Sequence, residues 1–379
     1  MRSLDEQQIR DVAKGAAVLG TGGGGDPYLG TLAAVEAHRL NGPPMVIELE
    51  ELSDEGFVAS IGMVGAPVPL VEKFSLGPEL MVVYEALQQQ FRHPLEALVP
   101  VEIGGVNTVI ALVLASRLGI PVVDADYMGR AYPEVDLATP TLYGRSASPF
   151  ALADEHGNRV VLEAVDNKWA ERIGRAVAIE FGAICPGMVF PMPGKHAKEA
   201  AVRGTLSLAE RIGRTLREAE AQKQEPVEAL LDVTQGFQLF RGKIVDVQRR
   251  TQKGWSVGEA HLEGMDQFLG QRMVVRFQNE NLVALLDDRL VASVPDLITV
   301  IDSQTGQAIT TERLHYGFRV IILGIPCDGK WRTPAGIALG GPRHFGYDIE
   351  YLPIEILNAK SLGGSAARLA DRSKQPNAH

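Results

Sequence analysis

Residues 99–126 read VPVEIGGVNTVIALVLASRLGIPVVDAD and contain two apolar strand patterns, one on each side of a helix pattern. The first strand pattern ends at Gly104 and Gly105, and a helix is predicted from Asn107 to about Gly119. Strands separated by a single helix are usually neighbours in one sheet, so the ends of the two strands are expected to lie close together. The stretch predicts an α/β fold.

The same alternation continues on both sides of this stretch and favours a parallel or mixed sheet flanked by helices. Further strand patterns are MVIEL (45–49), FVASIGMVG (57–65), RVVLEAV (159–165) and AVAIEFGAI (176–184). A first helix is predicted to begin at the capping-box spacing of Ser3 and Glu6 and to end near Leu19, and a second follows Pro27 and ends near Asn41. Two further helix patterns are ELMVVYEALQQQF (79–91) and a long stretch at 196–222, which Gly204 and Gly213 interrupt.

The pattern changes beyond about residue 228, where short β-rich runs alternate with polar turns. We therefore predict two domains, an α/β domain at 1–228 and a mostly β domain at 229–379. The segment at 325–353, which is rich in glycine and proline, is expected to return to the interface between them.

Composition excludes several classes of partner. The net charge is −10 and the pI about 5.4, with no basic stripe, which argues against nucleic acid and against anionic membranes. The longest apolar run is broken by Arg117, so no membrane-spanning segment is expected. The acidic start, MRSLDEQQIR, and the presence of only two cysteines favour the cytoplasm. We expect a small-molecule substrate and a self-associating chain.

Four consecutive glycines, Gly22 to Gly25, precede Asp26 in VLGTGGGGDPYLGT (18–31). Glycine is the residue that costs most to order, so such a run indicates a left-handed turn or a close approach of backbone to ligand. A helix precedes the run and no lysine follows it, so neither a dinucleotide loop nor a Walker loop is predicted, and no nucleotide cofactor is expected. An anion-binding or substrate-binding loop and a purely structural turn remain equal alternatives.

The second candidate region is PVVDADYMGRAYPEV, in which Asp124 and Asp126 end a strand and Arg130 and Glu134 follow. Two carboxylates on one face of a strand favour a cation or a shared proton between them. The alternative is a structural network in which Arg130 neutralises the acids. Glu102, at the end of the neighbouring strand pattern, is expected nearby.

The third candidate region surrounds Cys327, in ILGIPCDGKWRTPAGIALGGPRHFGYD (322–348). Lys330 or Arg332 would favour a Cys327 thiolate, which is a nucleophile or a soft metal ligand. A small buried hydrophobic residue is the alternative. The histidines lack a local metal-ligand spacing, so a metal would need ligands from distant segments.

Four stretches in order, from about residue 8 to residue 353, resemble the family first named DUF917 and later S-methyl-thiohydantoin desulfurase: VLGTGGGGDPYLG, EIGGVNTVIALVLASRLGIPVVDADYMGRAYPE, FQNENLVALLD with VPDLITVID, and YGFRVIILGIPCDGKWRTPAGIALGGPRHFGYD. The resemblance implies an N-terminal three-layer α/β domain and a C-terminal β-rich domain. Carried onto this chain, the family pattern falls on Gly22 to Asp26, Glu102, Gly104, Gly105, Asn107, Asp124, Asp126, Gly129, Arg130, Glu134, Asn279, Glu280, Asn281, Asp296, Cys327, Trp331, Arg332 and Tyr347. Tyr127 and His344 depart from it.

The resemblance also implies a reaction, because a close relative of the family removes sulfur from the thiohydantoin ring of 3-(5-oxo-2-thioxoimidazolidin-4-yl)propionate and is regarded as metal-dependent. The expected activity is therefore hydrolytic desulfurisation of a thiohydantoin-type ring, assisted by one divalent metal such as zinc. The alternatives are a cyclic amidohydrolase acting on hydantoin or oxoproline and a non-catalytic accessory subunit of a hydantoinase-like complex.

Site residues are assigned on the same basis. The predicted catalytic residues are Asp124, Asp126, Glu102, Cys327 and Arg130. The predicted substrate-binding residues are Gly22, Gly23, Gly24, Gly25, Asp26, Asn107, Glu134, Glu280, Asn281, Trp331 and Arg332. The candidate metal ligands are Asp124, Asp126 and Cys327, and the glycine run is expected to lie beside the two aspartates.

Overall fold

The computed structural model describes residues 1–65, 77–252 and 255–359. Its helices are α1 (Glu6–Leu19), α2 (Pro27–Asn41), α3 (Glu79–Gln88), α4 (Asn107–Leu118), α5 (Thr139–Leu142), α6 (Asn167–Glu180), α7 (Gly194–Ala200), α8 (Thr205–Gln222), α9 (Pro226–Thr234), α10 (Pro334–Gly340) and α11 (Ile354–Leu357). Its strands are β1 (Arg2–Ser3), β2 (Met45–Ile47), β3 (Phe57–Gly65), β4 (Ala97–Pro100), β5 (Val122–Val123), β6 (Ala125–Asp126), β7 (Phe150–Ala153), β8 (Arg159–Leu162), β9 (Ile184–Pro193), β10 (Val202–Arg203), β11 (Phe237–Gln252), β12 (Trp255–Gly264), β13 (Arg272–Gln278), β14 (Glu280–Leu286), β15 (Arg289–Ser293), β16 (Leu297–Asp302) and β17 (Arg319–Ile325).

An N-terminal sheet contains eight strands of the described residues, in the order β1-β2-β5-β4-β3-β9-β7-β8. Strands β2, β5, β4 and β3 run parallel, and β9, β7 and β8 continue the sheet in antiparallel pairs. β4 and β5, which α4 connects, pair directly, as the sequence predicts. The short strand β6 pairs instead with β10.

Both faces of the sheet are buried at β3, and successive side chains of this strand alternate between them. Val58 and Val64 belong to one apolar cluster, whereas Ala59 and Ile61 belong to another. The second cluster includes α2, α3 and α4, and the first includes α6, α7 and α8. The N-terminal part is therefore a three-layer α/β structure, which confirms the predicted fold class.

The C-terminal sheet is antiparallel, with seven strands of the described residues in the order β15-β14-β13-β12-β11-β17-β16. It curls so that β14 contacts β16 and forms a half-barrel. In β17, Val320 and Ile322 face the interior of the half-barrel, whereas Ile321 and Leu323 join the first apolar cluster of the N-terminal part. The two parts thus share one continuous core, and the candidate site lies where they meet.

The first helix begins two residues later than the Ser3–Glu6 spacing predicts. Ser3 pairs with Met45 in the strand ladder, which keeps it extended. Asp5 caps the helix instead: its Oδ1 accepts from the N–H of Gln8 at 2.8 Å, and Gln8 Oε1 accepts from the N–H of Asp5 at 3.0 Å. The predicted end at Leu19 is confirmed.

The strand predicted at 176–184 is wrong, because α6 continues to Glu180 and β9 begins only at Ile184. Asp166 caps this helix by accepting from the N–H of Trp169 at 2.8 Å. The apolar residues at 176–179 also fit a helical period, and packing against the sheet selected it.

The interruption predicted at Gly213 is also wrong, because α8 is continuous through that residue. A Cβ atom on Gly213 would lie 1.9 Å from the carbonyl oxygen of Asp11, and one on Gly15 would lie 1.8 Å from that of Ala209. The two glycines therefore allow α1 and α8 to pack at very short distance. The break predicted at Gly204 is confirmed, with φ +67°.

Candidate active site

A cavity of about 70 Å³ lies at the junction of β3, the β4–α4 turn, the glycine run and the start of β14. It has room for a few water-sized groups beside the protein atoms. Its polar and aromatic lining residues are Glu102, Asn107, Tyr132, Glu134, Arg175, Asn279 and Glu280. Four of these, Glu102, Asn107, Glu134 and Glu280, are residues that the sequence predicts for the site.

Glu102 follows the carboxyl end of β4 and is held in place by two hydrogen bonds. Its Oε1 accepts from Nδ2 of Asn107, and its Oε2 accepts from the N–H of Tyr132 at 3.0 Å. Asn107 is itself oriented, because its Oδ1 accepts from the N–H of Met63 at 2.8 Å. Burial raises the pKa of Glu102 to about 7, and the nearby negative charge of Asp126 acts in the same direction.

Glu280 is the first residue of β14 and is also buried, with 3% of its surface exposed. Burial raises its pKa well above the usual range, and the charge of Glu102 adds to this effect. Its Oε2 has no hydrogen-bond partner among the described residues. A buried carboxyl oxygen without a partner in a cavity indicates a position that takes a proton, a water molecule or a ligand.

The glycine run brings backbone against both glutamates. A Cβ atom on Gly23 would lie 2.0 Å from Oε1 of Glu280, and one on Gly24 would lie 2.6 Å from Cα of Gly104 and 3.4 Å from Oε1 of Glu102. Gly24 and Gly25 line the cavity at φ +71° and +82°. Only glycine accepts these angles and distances at once, so the cost of ordering the run is explained by close approach to this cavity.

The first half of the run has a different task, since it joins the two parts of the chain. The carbonyl of Thr21 accepts from the N–H of Asn281 at 2.7 Å, and the carbonyl of Gly22 accepts from the N–H of Thr311 at 2.8 Å. Asn281 lies behind the cavity lining, with its Nδ2 donating to the carbonyl of Ile298 at 2.9 Å. Gly22 therefore joins the two parts beside the site, whereas Gly23 already lies against Glu280.

Arg175 lines the cavity and was missed by the sequence analysis. It forms a buried ion pair with Glu171, donates from Nη2 to the carbonyl of Pro133 at 2.7 Å, and lies over the ring of Trp255 at 4.9 Å. Its Nη1 is buried without an acceptor among the described residues. The sequence does contain a signal for this residue, because Glu171 and Arg175 are four residues apart, which is typical of an ion pair on a helix. The strand predicted at 176–184 placed the end of that helix too early for the pair to be recognised.

Asp124 and Asp126 are placed outside the cavity lining. Asp124 caps α8, because its carboxylate accepts from both the N–H and the hydroxyl of Ser207. Asp126 Oδ2 accepts from the N–H groups of Met128, at 3.0 Å, and Gly129, at 2.7 Å. The acids that the glycine run approaches are thus Glu102 and Glu280, in place of the two aspartates that the sequence predicts beside it.

Two of these buried acids make stability depend on pH. Burial raises the pKa of Asp126 from 3.8 to about 7 and that of Glu102 from 4.5 to about 7. At pH values between the ordinary and the raised pKa of each residue, the folded state binds more protons than the unfolded state. The free energy of unfolding therefore falls as pH rises. We expect the urea concentration at the unfolding midpoint to decrease as the pH rises from about 5 to 7.5. In the Asp126→Asn variant this midpoint is expected to decrease less steeply with pH. Equal slopes in urea titrations of the two proteins would contradict this.

Arg130 is fully buried, and none of its donors faces the cavity. Nη1 donates to the carbonyls of Pro295 and Asp296, at 3.2 and 3.0 Å, and Nη2 donates to Thr21 Oγ1 and to the carbonyl of Asn281, both at 3.0 Å. Nε donates to the carbonyl of Ala131 at 3.0 Å. The guanidinium therefore ties the two parts of the chain together, and the predicted neutralisation of Asp124 and Asp126 by Arg130 is not formed.

Cys327 belongs to a separate buried network around Asp296. Asp296 Oδ1 accepts from the N–H of Cys327 and from Nη2 of Arg332, both at 2.9 Å, and its Oδ2 accepts from the hydroxyl of Tyr351 at 3.1 Å. Burial raises the pKa of the Cys327 thiol to about 12, and the charge of Asp296 adds to this. The thiol is therefore protonated at neutral pH, as in the alternative of a small buried residue.

Trp331 and Arg332 lie outside the cavity lining. Trp331 donates from Nε1 to the carbonyl of Met128 at 2.6 Å and packs on Tyr132 with ring centres 4.8 Å apart, so it supports the cavity wall. Arg332 binds Glu355 through two hydrogen bonds at 2.8 and 3.0 Å. The segment 325–353 therefore contacts Met128 and Tyr132, and its return to a domain interface stays a prediction.

Two further sequence candidates, and the two departures from the family pattern, have defined neighbours. Asp26 caps α2 and forms an ion pair with Arg313 at 2.7 Å. Glu134, in the cavity lining, lies 3.5 Å from Nε2 of His344, one of the two departures from the family pattern. Tyr127, the other departure, is fully buried next to Met192.

The candidate metal ligands do not form one site. The Asp124 carboxylate is occupied by Ser207, and the Cys327 thiol lies in the Asp296 network. Residues 1–65, 77–252 and 255–359 contain no group of three or more acidic, histidine or cysteine side chains arranged to hold a metal ion. The residues named for a metal therefore do not fit one, and metal dependence stays a prediction.

Two family models together cover residues 7–354. The model described as S-Me-THD-like, N-terminal domain, matches residues 7–164, and the model described as S-Me-THD-like, C-terminal domain, matches residues 165–354. The chain belongs to the S-Me-THD-like family. This confirms the family that the sequence motifs indicate. The S-Me-THD-like models meet between residues 164 and 165, and the domain boundary at 228/229 stays a prediction.

A solved structure shares the fold of this S-Me-THD-like chain. It is the crystal structure of a protein from Chromobacterium violaceum, with a TM-score of 0.78 and 24% sequence identity, covering 93% of this chain and 100% of that one. No curated protein matches the chain. Within the described residues, every helix is too short or too polar to cross a membrane.

Proposed function

We propose that this S-Me-THD-like chain is a hydrolase that removes sulfur from a thiohydantoin-type five-membered ring and releases sulfide and a hydantoin. The observation that carries the proposal is the cavity in which two buried carboxyl groups with raised pKa values, Glu102 and Glu280, face the glycine run. Family membership supports the choice of a thiocarbonyl substrate.

Hydrolysis of a thiocarbonyl group needs a base for water and an acid for sulfur. In the proposed reaction the Glu280 carboxylate takes a proton from water, and the water oxygen adds to the thiocarbonyl carbon to give a tetrahedral intermediate with charge on sulfur. The protonated Glu280 returns the proton to sulfur, the C–S bond breaks, and hydrosulfide leaves. As the C=O bond forms, the Glu280 carboxylate takes the hydroxyl proton of the intermediate and then releases it to solvent, which restores the base. A carboxyl group whose pKa burial raises well above its usual range suits a role in which it both accepts and returns a proton.

The other cavity residues supply positioning in this proposal. Glu102 is oriented by Asn107 and Tyr132, so it suits a ring N–H donor of the substrate. The glycine backbone at Gly24 and Gly25 allows a flat ring to lie close to the main chain. Nη1 of Arg175 is buried without a partner among the described residues, so it suits an anionic substituent on the ring.

The experiment that tests the proposal follows sulfide release and ring opening in parallel, with the purified chain and 3-(5-oxo-2-thioxoimidazolidin-4-yl)propionate, hydantoin and oxoproline. Sulfide release with an intact product ring supports desulfurisation. Ring opening of hydantoin or oxoproline would identify a cyclic amidohydrolase instead. Turnover only after co-expression with a hydantoinase-like partner would identify an accessory subunit. Metal analysis of the same sample tests the predicted metal.

Arg175→Lys is expected to raise KM at least about tenfold for the propionate-bearing thiohydantoin, because lysine keeps the charge but loses the planar, two-pronged donor geometry. The effect on kcat is expected to be smaller, since the residue positions the substrate and does not transfer protons. Steady-state sulfide release measures both constants. The matched control is Arg172→Lys on the exposed side of the same helix. If Arg175→Lys raised KM by the same factor for the propionate and for an uncharged thiohydantoin, recognition of the carboxylate by Arg175 would be excluded.

A further inference from the structure

The strand β8 forms one edge of the N-terminal sheet, and among the described residues it pairs only with β7. The N–H of Asp154 donates to the carbonyl of Asn158 at 3.0 Å, which makes 154 and 158 a hydrogen-bonded pair. Hydrogen-bonded and non-hydrogen-bonded pairs alternate along an antiparallel ladder, so Val161, opposite Ala151, belongs to a non-hydrogen-bonded pair. Its N–H and C=O therefore point away from β7, toward the open edge.

Two of the usual devices that block pairing at a sheet edge are absent from β8. Arg159 and Val161 are exposed on one face of β8, while Leu162 is buried against the core. Glu163, which directly follows the strand, is also exposed. The strand contains no proline, and its pairing with β7 shows no bulge. Proline residues and bulges both hinder the pairing of an edge strand with another strand. An edge of this kind is a template for another strand.

An apolar stripe continues from this edge. Val165 is 89% exposed, Trp169 45% and Ile173 40%, and their spacing of four residues puts them on one side of α6 and the turn before it. The opposite side of α6 packs in the core through Ala170 and Ala178. Large apolar side chains grouped on one surface indicate an interaction site.

We propose that a second copy of this chain occupies the surface, with the two β8 strands antiparallel about a two-fold axis at Val161. That register makes a hydrogen-bonded pair of the two Val161 residues and places Arg159 of each copy opposite Glu163 of the other. The charge pattern is complementary to itself, as an isologous interface requires. The ladder alone is short, and the stripe of Val165, Trp169 and Ile173 supplies further apolar area.

The dissociation constant of the dimer, measured by sedimentation at a range of protein concentrations, tests the proposal with a charge swap. Arg159→Glu and Glu163→Arg each put two like-charged pairs across the two-fold axis, so each is expected to weaken the dimer about fivefold or more. The double variant R159E/E163R restores opposite charges and is expected to restore the dimer. Residues 159 and 163 lie too far apart on one strand to compensate within a single chain.

Val161→Pro is the second test, because it removes the outward N–H without removing a hydrogen bond to β7. We expect a monomer whose circular dichroism and sulfide release match those of the unaltered chain. A chain that is monomeric at about 50 μM before any substitution overturns the proposal. So does a dimer whose dissociation constant is unchanged by Val161→Pro, or a double variant no tighter than the two single ones.

Discussion

Glu280→Gln is expected to lower the rate of sulfide release by about two to four orders of magnitude while the protein remains folded. Glutamine keeps the size of the side chain but cannot take a proton from water. The loss is expected in kcat, because Arg175 and the glycine backbone still hold the substrate. The variant is also expected to lose the rise of kcat/KM with increasing pH that a base with a raised pKa produces.

Glu263→Gln is the matched control for this substitution. It makes the same chemical change on an exposed residue of β12, in the same sheet, and is expected to leave turnover unchanged. Circular dichroism of both variants excludes unfolding as the cause of any loss. If Glu280→Gln retained the wild-type rate and pH profile, the base would have to be another group, and the proposed role of the cavity would fail.

Arg130→Lys is expected to destabilise the protein by about 3 kcal/mol or more. The guanidinium satisfies five acceptors at once, on both parts of the chain, and a lysine ammonium has three N–H groups on one atom that cannot reach all of them. The acceptors left buried without a donor each cost about 1–3 kcal/mol, although some are expected to relax toward other partners. Urea unfolding followed by circular dichroism measures the loss.

Arg39→Lys is the control for this experiment. Arg39 forms an ion pair with Glu6 on the protein surface, so the same substitution there is expected to change the unfolding midpoint very little. The difference between the two variants isolates the contribution of the buried hydrogen bonds. A midpoint for Arg130→Lys equal to that of Arg39→Lys would show that the guanidinium is not what joins the two parts.

Much of the fold was predictable because local patterns and tertiary packing agree. The helix of 107–118 and the strand of 57–65 follow directly from their apolar periods, and the glycine run ends α1 where predicted. The errors at 176–184 and at Gly213 have one cause. An apolar segment or a glycine is compatible with more than one local backbone conformation, and tertiary packing selects among them. The sheet does this for α6, and Asp11 does it for Gly213.

The sequence predicted the types of residue in the candidate site better than it predicted which of these residues lie together. Glu102, Asn107, Glu134 and Glu280 were identified from motifs and do line one cavity. Asp124 carries the same functional group as Glu102, yet its carboxylate serves as a helix cap. No local pattern distinguishes the two, since the difference is made by α8, which begins far along the chain from Asp124.

The sequence by itself determined the α/β and mostly β halves, the family, and the set of carboxylates and glycines available for chemistry. Tertiary structure decided which of them act together, because Glu102 and Glu280 come from different parts of the chain and meet only when β14 packs against the glycine run. Their raised pKa values have the same origin. Removal of water from a carboxyl group depends on everything that surrounds it, and most of those atoms are remote in sequence.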